Sequence, residues 1–226
     1  MLNSLFTGSQ IKLERATKFI DELEILLNDY NNNEPLSAKL DFANNPPKVV
    51  IEWKGLGHDA MAVLGDAVHN LRAALDILAS ELARINGKSD LNVYFPFAAT
   101  ETDFPNAIIN RNFVKAGPDA VSLLCTFAPY HGGNELFRAV HDLDIEDKHT
   151  ALIETHKTND FKCDVTIDLG NPLKSKLNSF EIGPIQHHFS KDSPLPEKPV
   201  IETLREIQLE VSRVVKAFRN LVLNRA

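Results

Sequence analysis

Apolar residues recur at three- and four-residue steps over four stretches of the chain and alternate over several shorter ones, which predicts helices joined by β segments. Ala16, Phe19, Ile20, Leu23, Leu26, Leu27 and Tyr30 form the first stripe. Ahead of it Thr7-Gly8-Ser9-Gln10 has the spacing of a capping box, so a helix is expected over roughly 9–30, ending at Asn31-Asn32-Asn33. Asn44-Asn45-Pro46-Pro47 then separates Ala38–Ala43 from Lys48–Lys54, whose side chains alternate, and a β-hairpin is expected over about 37–54.

The most regular stripe is the next one. Leu64, Val68, Leu71, Leu75, Leu78, Leu82 and Ile85 step by four and three, between Gly57 and the stop signal Asn86-Gly87, and predict a long central helix over about 57–86. The aromatic run Tyr94-Phe95-Pro96-Phe97 follows as a loop or short strand. Helices are expected at roughly 102–112 and 117–127, then another from Asn134 to Lys148 beyond the break at Pro129-Tyr130-His131-Gly132-Gly133. From about 150 to 192 the period shortens toward two, in four pieces divided by Asn159-Asp160, Gly170-Asn171-Pro172 and Gly183-Pro184, which reads as a β-rich insertion. Leu204, Ile207, Val211, Val214, Phe218 and Leu221 in a helix over about 200–223 keep a heptad rhythm; packing on the first and central helices is the first expectation, a homodimer seam the second. The fold class is therefore α+β: one domain, a helical bundle with an N-terminal β-hairpin and a C-terminal β-rich insertion before the last helix.

Composition adds exclusions. With 43% hydrophobic and 24% charged residues the chain has the make-up of an ordinary globular protein, and its net charge of -7 works against non-specific nucleic-acid binding. No cationic leader and no apolar run of about 18 residues occurs, so a cytosolic protein with no membrane span is expected. Cys125 and Cys163 stand far apart, which supports neither a zinc knuckle nor a disulfide framework; both are expected to be buried or half-buried free thiols.

On the central helix His69, Arg72 and Asp76 fall within about 60° of one another. Ala62, Ala73, Ala79, Ser80 and Ala83 flank them, where a solvent face would carry Lys, Glu and Gln, so another element is expected to approach closely. A second polar cluster, His141, Asp142, Asp144, Glu146, Asp147, Lys148 and His149, closes the Asn134 helix. Asp147 is the next step of its apolar stripe after Leu136, Val140 and Leu143, so a carboxylate points where a core residue is expected. A guanidinium is the natural bidentate partner of a buried carboxylate, and Arg72 is expected to meet Asp147, with His69, Asp76 or His149 close by.

The segments GDAVHNLRAALDILA, FPFAATETDF, FAPYHGGNELFRAVHDLDIEDKHTALI and EVSRVVKAF resemble a family of uncharacterised bacterial proteins whose central helix reads like GD-x-x-HNLR-x-ALDHLA and whose later segment reads like DKHR. Ile77 and Thr150 stand where that family often has His and Arg. Arg followed five residues later by His resembles the motif of HEPN ribonucleases, which cleave RNA without metal at a dimer interface; Ile77 removes that His, and Asn224 stands where the Arg219-Asn220 pair would need one.

Two readings of the cluster follow. In the first, His69, Arg72, Asp76 and Asp147 are a buried network that fixes helix register in a binding or assembly module. In the second, His69, Arg72, Asp76, Asp147, Lys148 and His149 form a catalytic site for an anionic, phosphate-containing substrate, with HEPN-like RNA cleavage as its concrete form: cations neutralise charge and an imidazole moves a proton. No cofactor is implied, since no Gly-rich phosphate loop occurs. No metal is expected, because His141 and His149 would point about 80° apart on a helix. His187-His188 is expected to be a solvated or strand-edge pair, and Trp53 a packed strand residue.

Overall fold

The computed structural model describes residues 6–149, 153 and 155–224, and of His149 the backbone alone. The α+β order of elements is the expected one. Helix α1 (Thr7–Asn32) is followed by strands β1 (Leu36–Asp41) and β2 (Lys48–Trp53), and then by α2 (His58–Ile85). Short helices α3 (Phe104–Asn110) and α4 (Pro118–Cys125) flank a 3-10 turn at Phe113–Ala116, and α5 (Glu135–His149) comes next. Strands β3 (Thr155–Thr158), β4 (Phe161–Thr166), β5 (Lys176–Ile182) and β6 (Gln186–Phe189) precede α6 (Val200–Leu223). Residues 150–152 and 154, where the β-rich insertion was expected to begin, lie outside the described residues.

α2 is the hub because its apolar stripe runs its whole length. Leu64, Val68, Leu71, Leu75, Leu78 and Leu82 are all buried, with α1, α5, α6 and the 3-10 turn packed around them. The helix stops at Asn86, after which Gly87 takes φ 70°, a backbone angle that favours glycine. α1 contributes Leu13, Ala16, Ile20, Leu23 and Leu27 to the same core, and α6 contributes Leu204, Ile207, Val211, Val214 and Phe218. The heptad stripe of α6 is thus used within the chain, as packing on α1 and α2 requires. Among the described residues no helix is long and apolar enough to cross a membrane.

Several local expectations change. The start of α1 is not organised by a capping box: the helix begins at Thr7, and its cap comes from α2, where Glu81 accepts from Gly8 N (2.9 Å) and Ser9 Oγ (2.8 Å). A carboxylate from another helix satisfies the same orphan donors that a local side chain would. Cys125 is exposed rather than buried, because α4 spans only Pro118–Cys125 and that thiol lies at its end; Cys163 is half-buried, and both are free.

The β segments form three two-stranded antiparallel sheets. β1 pairs β2 from Leu36↔Trp53 to Asp41↔Lys48. β4 pairs β5 and β3 pairs β6, so the insertion is one ribbon interrupted where Gly183 N donates to Asp160 O (2.7 Å). Phe189 roots the ribbon in the core, whereas no residue of β4 or β5 is buried. His187, expected at a solvated strand edge, is in β6 but turns inward to Asn31 Oδ1 (2.9 Å), and burial pushes its pKa down to about 4. Trp53 is partly exposed in its strand, with Lys157 Nζ 5.5 Å from the centre of its ring.

Candidate functional site

α2 and α5 carry the same short pattern, an arginine followed four residues later by an aspartate: Arg72 and Asp76 on one, Arg138 and Asp142 on the other. Four residues is just over one helical turn, so each pair closes on its own helix. Arg72 Nη1 donates to Asp76 Oδ1 (2.8 Å), and Arg138 Nη1 lies 2.5 Å from Asp142 Oδ1, an ion pair rather than an aligned hydrogen bond. Asn134 Oδ1 starts α5 by accepting from Phe137 N (3.1 Å), which sets the rotation that turns Arg138 inward.

Each arginine then spends a second donor on the extended segment 93–98. Arg72 Nη2 donates to the carbonyl of Phe95 (3.1 Å), while Arg138 Nε donates to that of Ala98 (3.0 Å). Asp76 Oδ1 also accepts from Phe95 N (2.9 Å), and Ser80 Oγ donates to Val93 O (3.2 Å). The FPF stretch is therefore clamped between α2 and α5 by side-chain hydrogen bonds to its backbone at Phe95 and Ala98. Its rings complete the packing: Phe95 is fully buried against Phe113 and Phe137, and Phe97 sits under the Arg72 guanidinium (4.9 Å) and stacks on His141 at 5.2 Å and 7°.

Burial decides the electrostatics here. It lowers the Arg72 pKa and raises those of Asp76 and Asp142, in each case more than the opposite charge alongside compensates. His141 is pushed down to about 3, first by desolvation and then by Arg72, Arg138 and Arg111, so it is neutral at any ordinary pH. Its Nδ1 is buried and has no hydrogen-bond partner among the described residues. The ring acts as a flat apolar neighbour of Phe97 and not as a proton carrier.

The outer side of the junction is different. His69 Nδ1 donates to Asp144 Oδ1 (3.0 Å), and Lys148 Nζ donates to Asp144 Oδ2 (2.7 Å). Asp144 itself is buried, while the His69 side chain is 42% exposed and its Nε2 bonds no described residue. The carboxylate fixes the tautomer and leaves Nε2 as the basic nitrogen. Asp147 lies beside this group against α2, its carboxylate 2.3–2.7 Å from the position that a Cβ on Gly65 would take. Burial, Asp144 and Asp66 together raise its pKa.

No protein-family model, no curated protein and no solved structure matches this chain.

Of the sequence-predicted residues, the structure joins Arg72 with Asp76, and His69 with Asp144 and Lys148. It does not join Arg72 with Asp147. Arg72 turns to its own helix and to the Phe95 carbonyl instead, and Asp147 fills the space that Gly65 leaves open. The side chain of His149 lies outside the described residues. Of the expected small-residue face, Ala79 and Ala83 are buried whereas Ala62 is exposed. Arg138 was missed although its spacing to Asp142 repeats that of Arg72 to Asp76, and this duplicated spacing is the signal that could have found it. Arg219 and Asn220 line a separate groove between α1 and α6. Among the described residues no group of three or more His, Cys, Asp or Glu is placed to hold a metal ion.

Proposed function

We propose that the chain is a binding or assembly module whose His/Arg/Asp junction is architecture. The observation that supports this most is that both inward-facing guanidiniums are consumed by their own aspartates and by backbone carbonyls of one segment, and Arg72 is only 6% exposed. An arginine buried to this degree and bonded on two sides to its own chain is poorly placed to meet a ligand. Partners of such a module are a protein or a small anion held on its outer surface; the resemblance to bacterial proteins and the free, exposed Cys125 favour a cytosolic setting in a bacterium. The test is thermal unfolding of Arg72→Ala: the architectural reading requires a large loss of stability, because Asp76 and the Phe95 carbonyl are stranded. An unchanged melting temperature would sink it.

A second reading, hydrolysis of a phosphate-containing substrate such as RNA, is favoured by the His69–Asp144 pair, whose Nε2 bonds no described residue. There His69 takes a proton from the attacking hydroxyl and Lys148 neutralises a phosphoryl oxygen. Asp66 and Asp147 beside the pair work against an anion, which places this reading second. Metal-free incubation with single-stranded RNA and a phosphodiester ester separates the two: cleavage that His69→Ala abolishes while the fold is kept selects hydrolysis.

A further inference from the structure

The hairpin β4–β5 reaches the rest of the fold through β5, which lies against β1. Neither strand has a buried residue, and a two-stranded hairpin in water is marginal until further strands or a packed face support it. β4 bonds only β5 among the described residues, so its other edge presents unpaired backbone donors and acceptors. Natural edges are commonly blunted by a lysine, and Lys162 stands on this one. Its effect is cancelled two residues later by Asp164, which is also exposed.

That spacing makes the edge complementary to itself. Laid antiparallel on a copy of itself about Cys163, β4 sets Lys162 against Asp164 twice and Phe161 against Val165 twice. Phe161, Cys163 and Val165 share one face by the two-residue period, so a partly exposed apolar strip, with Phe161 47% exposed, would continue across the pair. β2 has a comparable sequence, Lys48 to Glu52, but its Glu52 is bridged to the cation Lys39 at 2.5 Å, whereas Asp164 accepts only from the neutral Asn178 amide (3.3 Å), which leaves its charge unmatched among the described residues.

We propose that the free edge of β4 pairs antiparallel with β4 of a second copy, centred on Cys163, to give a continuous four-stranded sheet β5-β4-β4-β5 in a two-fold dimer. This rests on the reading of the chain as an assembly module and names its partner. A strand edge of this length is below the area of a standard interface, about 1,600 Å² in total, so the dimer is a weak one whose population rises with concentration.

The test uses the full chain. Sedimentation from about 1 to 200 µM is expected to show a monomer-dimer equilibrium in the micromolar range. Diamide, which takes two electrons and two protons from a pair of thiols, is expected to link Cys163 to Cys163; Cys163→Ser abolishes the linked dimer and Cys125→Ser does not. Lys162→Asp and Asp164→Lys are each expected to weaken association at least tenfold by facing like charges, and the double exchange to restore it, which a folding defect would not do. A monomer at every concentration, or a dimer indifferent to these charges and linked only through Cys125, overturns the proposal. Because Arg72 and the junction lie elsewhere, a monomer whose Arg72→Ala variant is strongly destabilised would reject the β4 dimer and leave the architectural reading standing.

Discussion

His69 and Arg72 sit one turn apart on the same face of α2, and each is bonded to an aspartate, yet they live in different media. Arg72 is sealed beneath the FPF segment with every contact made to the chain itself. His69 keeps one nitrogen on Asp144 and has 42% of its side chain in water. Asp144 is the hinge between them: it bonds His69 and Lys148 directly and acts on Arg72 through its charge. The comparison teaches that a polar cluster on one helix face need not be one site. Its inner half is bonded to a loop segment, and its outer half is the part that is open to solvent.

The largest effects should come from the inner half. Arg72→Ala is expected to cost about 3–5 kcal/mol, because it strands a buried carboxylate and a carbonyl, and Arg138→Ala somewhat less. For a chain of this size that lowers the melting temperature by roughly 10 °C. If the two arginines hold one segment, the double variant should lose less than the sum of the single losses, since the second has little left to release. Full additivity in chemical denaturation would split the clamp into two independent contacts.

His141 supplies the next test. Its folded pKa of about 3 lies below the unfolded value of 6.5, so between those values the unfolded chain binds a proton that the folded chain refuses. Stability attributed to this group is therefore intact above about pH 6.5 and is lost as pH falls toward 3. Arg72, Arg138 and Arg111 oppose the charge and Asp144 favours it. Allowing for partial exposure, the loss from pH 7 to pH 5 should be about 1–2 kcal/mol, and His141→Phe should remove that part of the acid slope. An unchanged slope in the variant would mean that the ring is more hydrated than its stack on Phe97 implies.

A smaller effect marks the boundary between the halves. Alanine is a better helix former than glycine by about 1 kcal/mol, but a Cβ on Gly65 meets the Asp147 carboxylate. Gly65→Ala should therefore destabilise the wild type and stabilise an Asp147→Ala background, a sign reversal that equilibrium unfolding can read. The same sign in both backgrounds would mean that Asp147 swings clear at no cost.

How much of this was legible follows from what periodicity encodes. The three-four step of α2 named its buried face and its ends, because burial depends only on which residues share a stripe. It named no partners. Arg72 was expected to reach Asp147 because both stood on inward-turning faces, but a guanidinium takes the nearest carboxylate, four residues along its own helix, and then a backbone carbonyl that has no side-chain signature at all. The Glu81 cap on α1 is hidden for the same reason, since the groups it joins are over seventy residues apart and local sequence cannot express the contact. Arg138 is the exception, being written in a spacing that already occurs once in α2.

The smallest expected change is the one that most sharply divides the halves. His69→Gln keeps a side chain of similar reach but removes the imidazole, and at a half-exposed position a change within about 0.5 kcal/mol of stability is expected. Lys148 still neutralises Asp144, so no buried charge is stranded. If the outer half is catalytic, the same variant should lower metal-free phosphodiester cleavage by about 10²–10⁴-fold at unchanged stability. If the outer half is only a surface, neither stability nor turnover moves. A large loss of stability would instead extend the architecture of Arg72 outward to His69, and the division between sealed and open halves would have to be redrawn at Asp144.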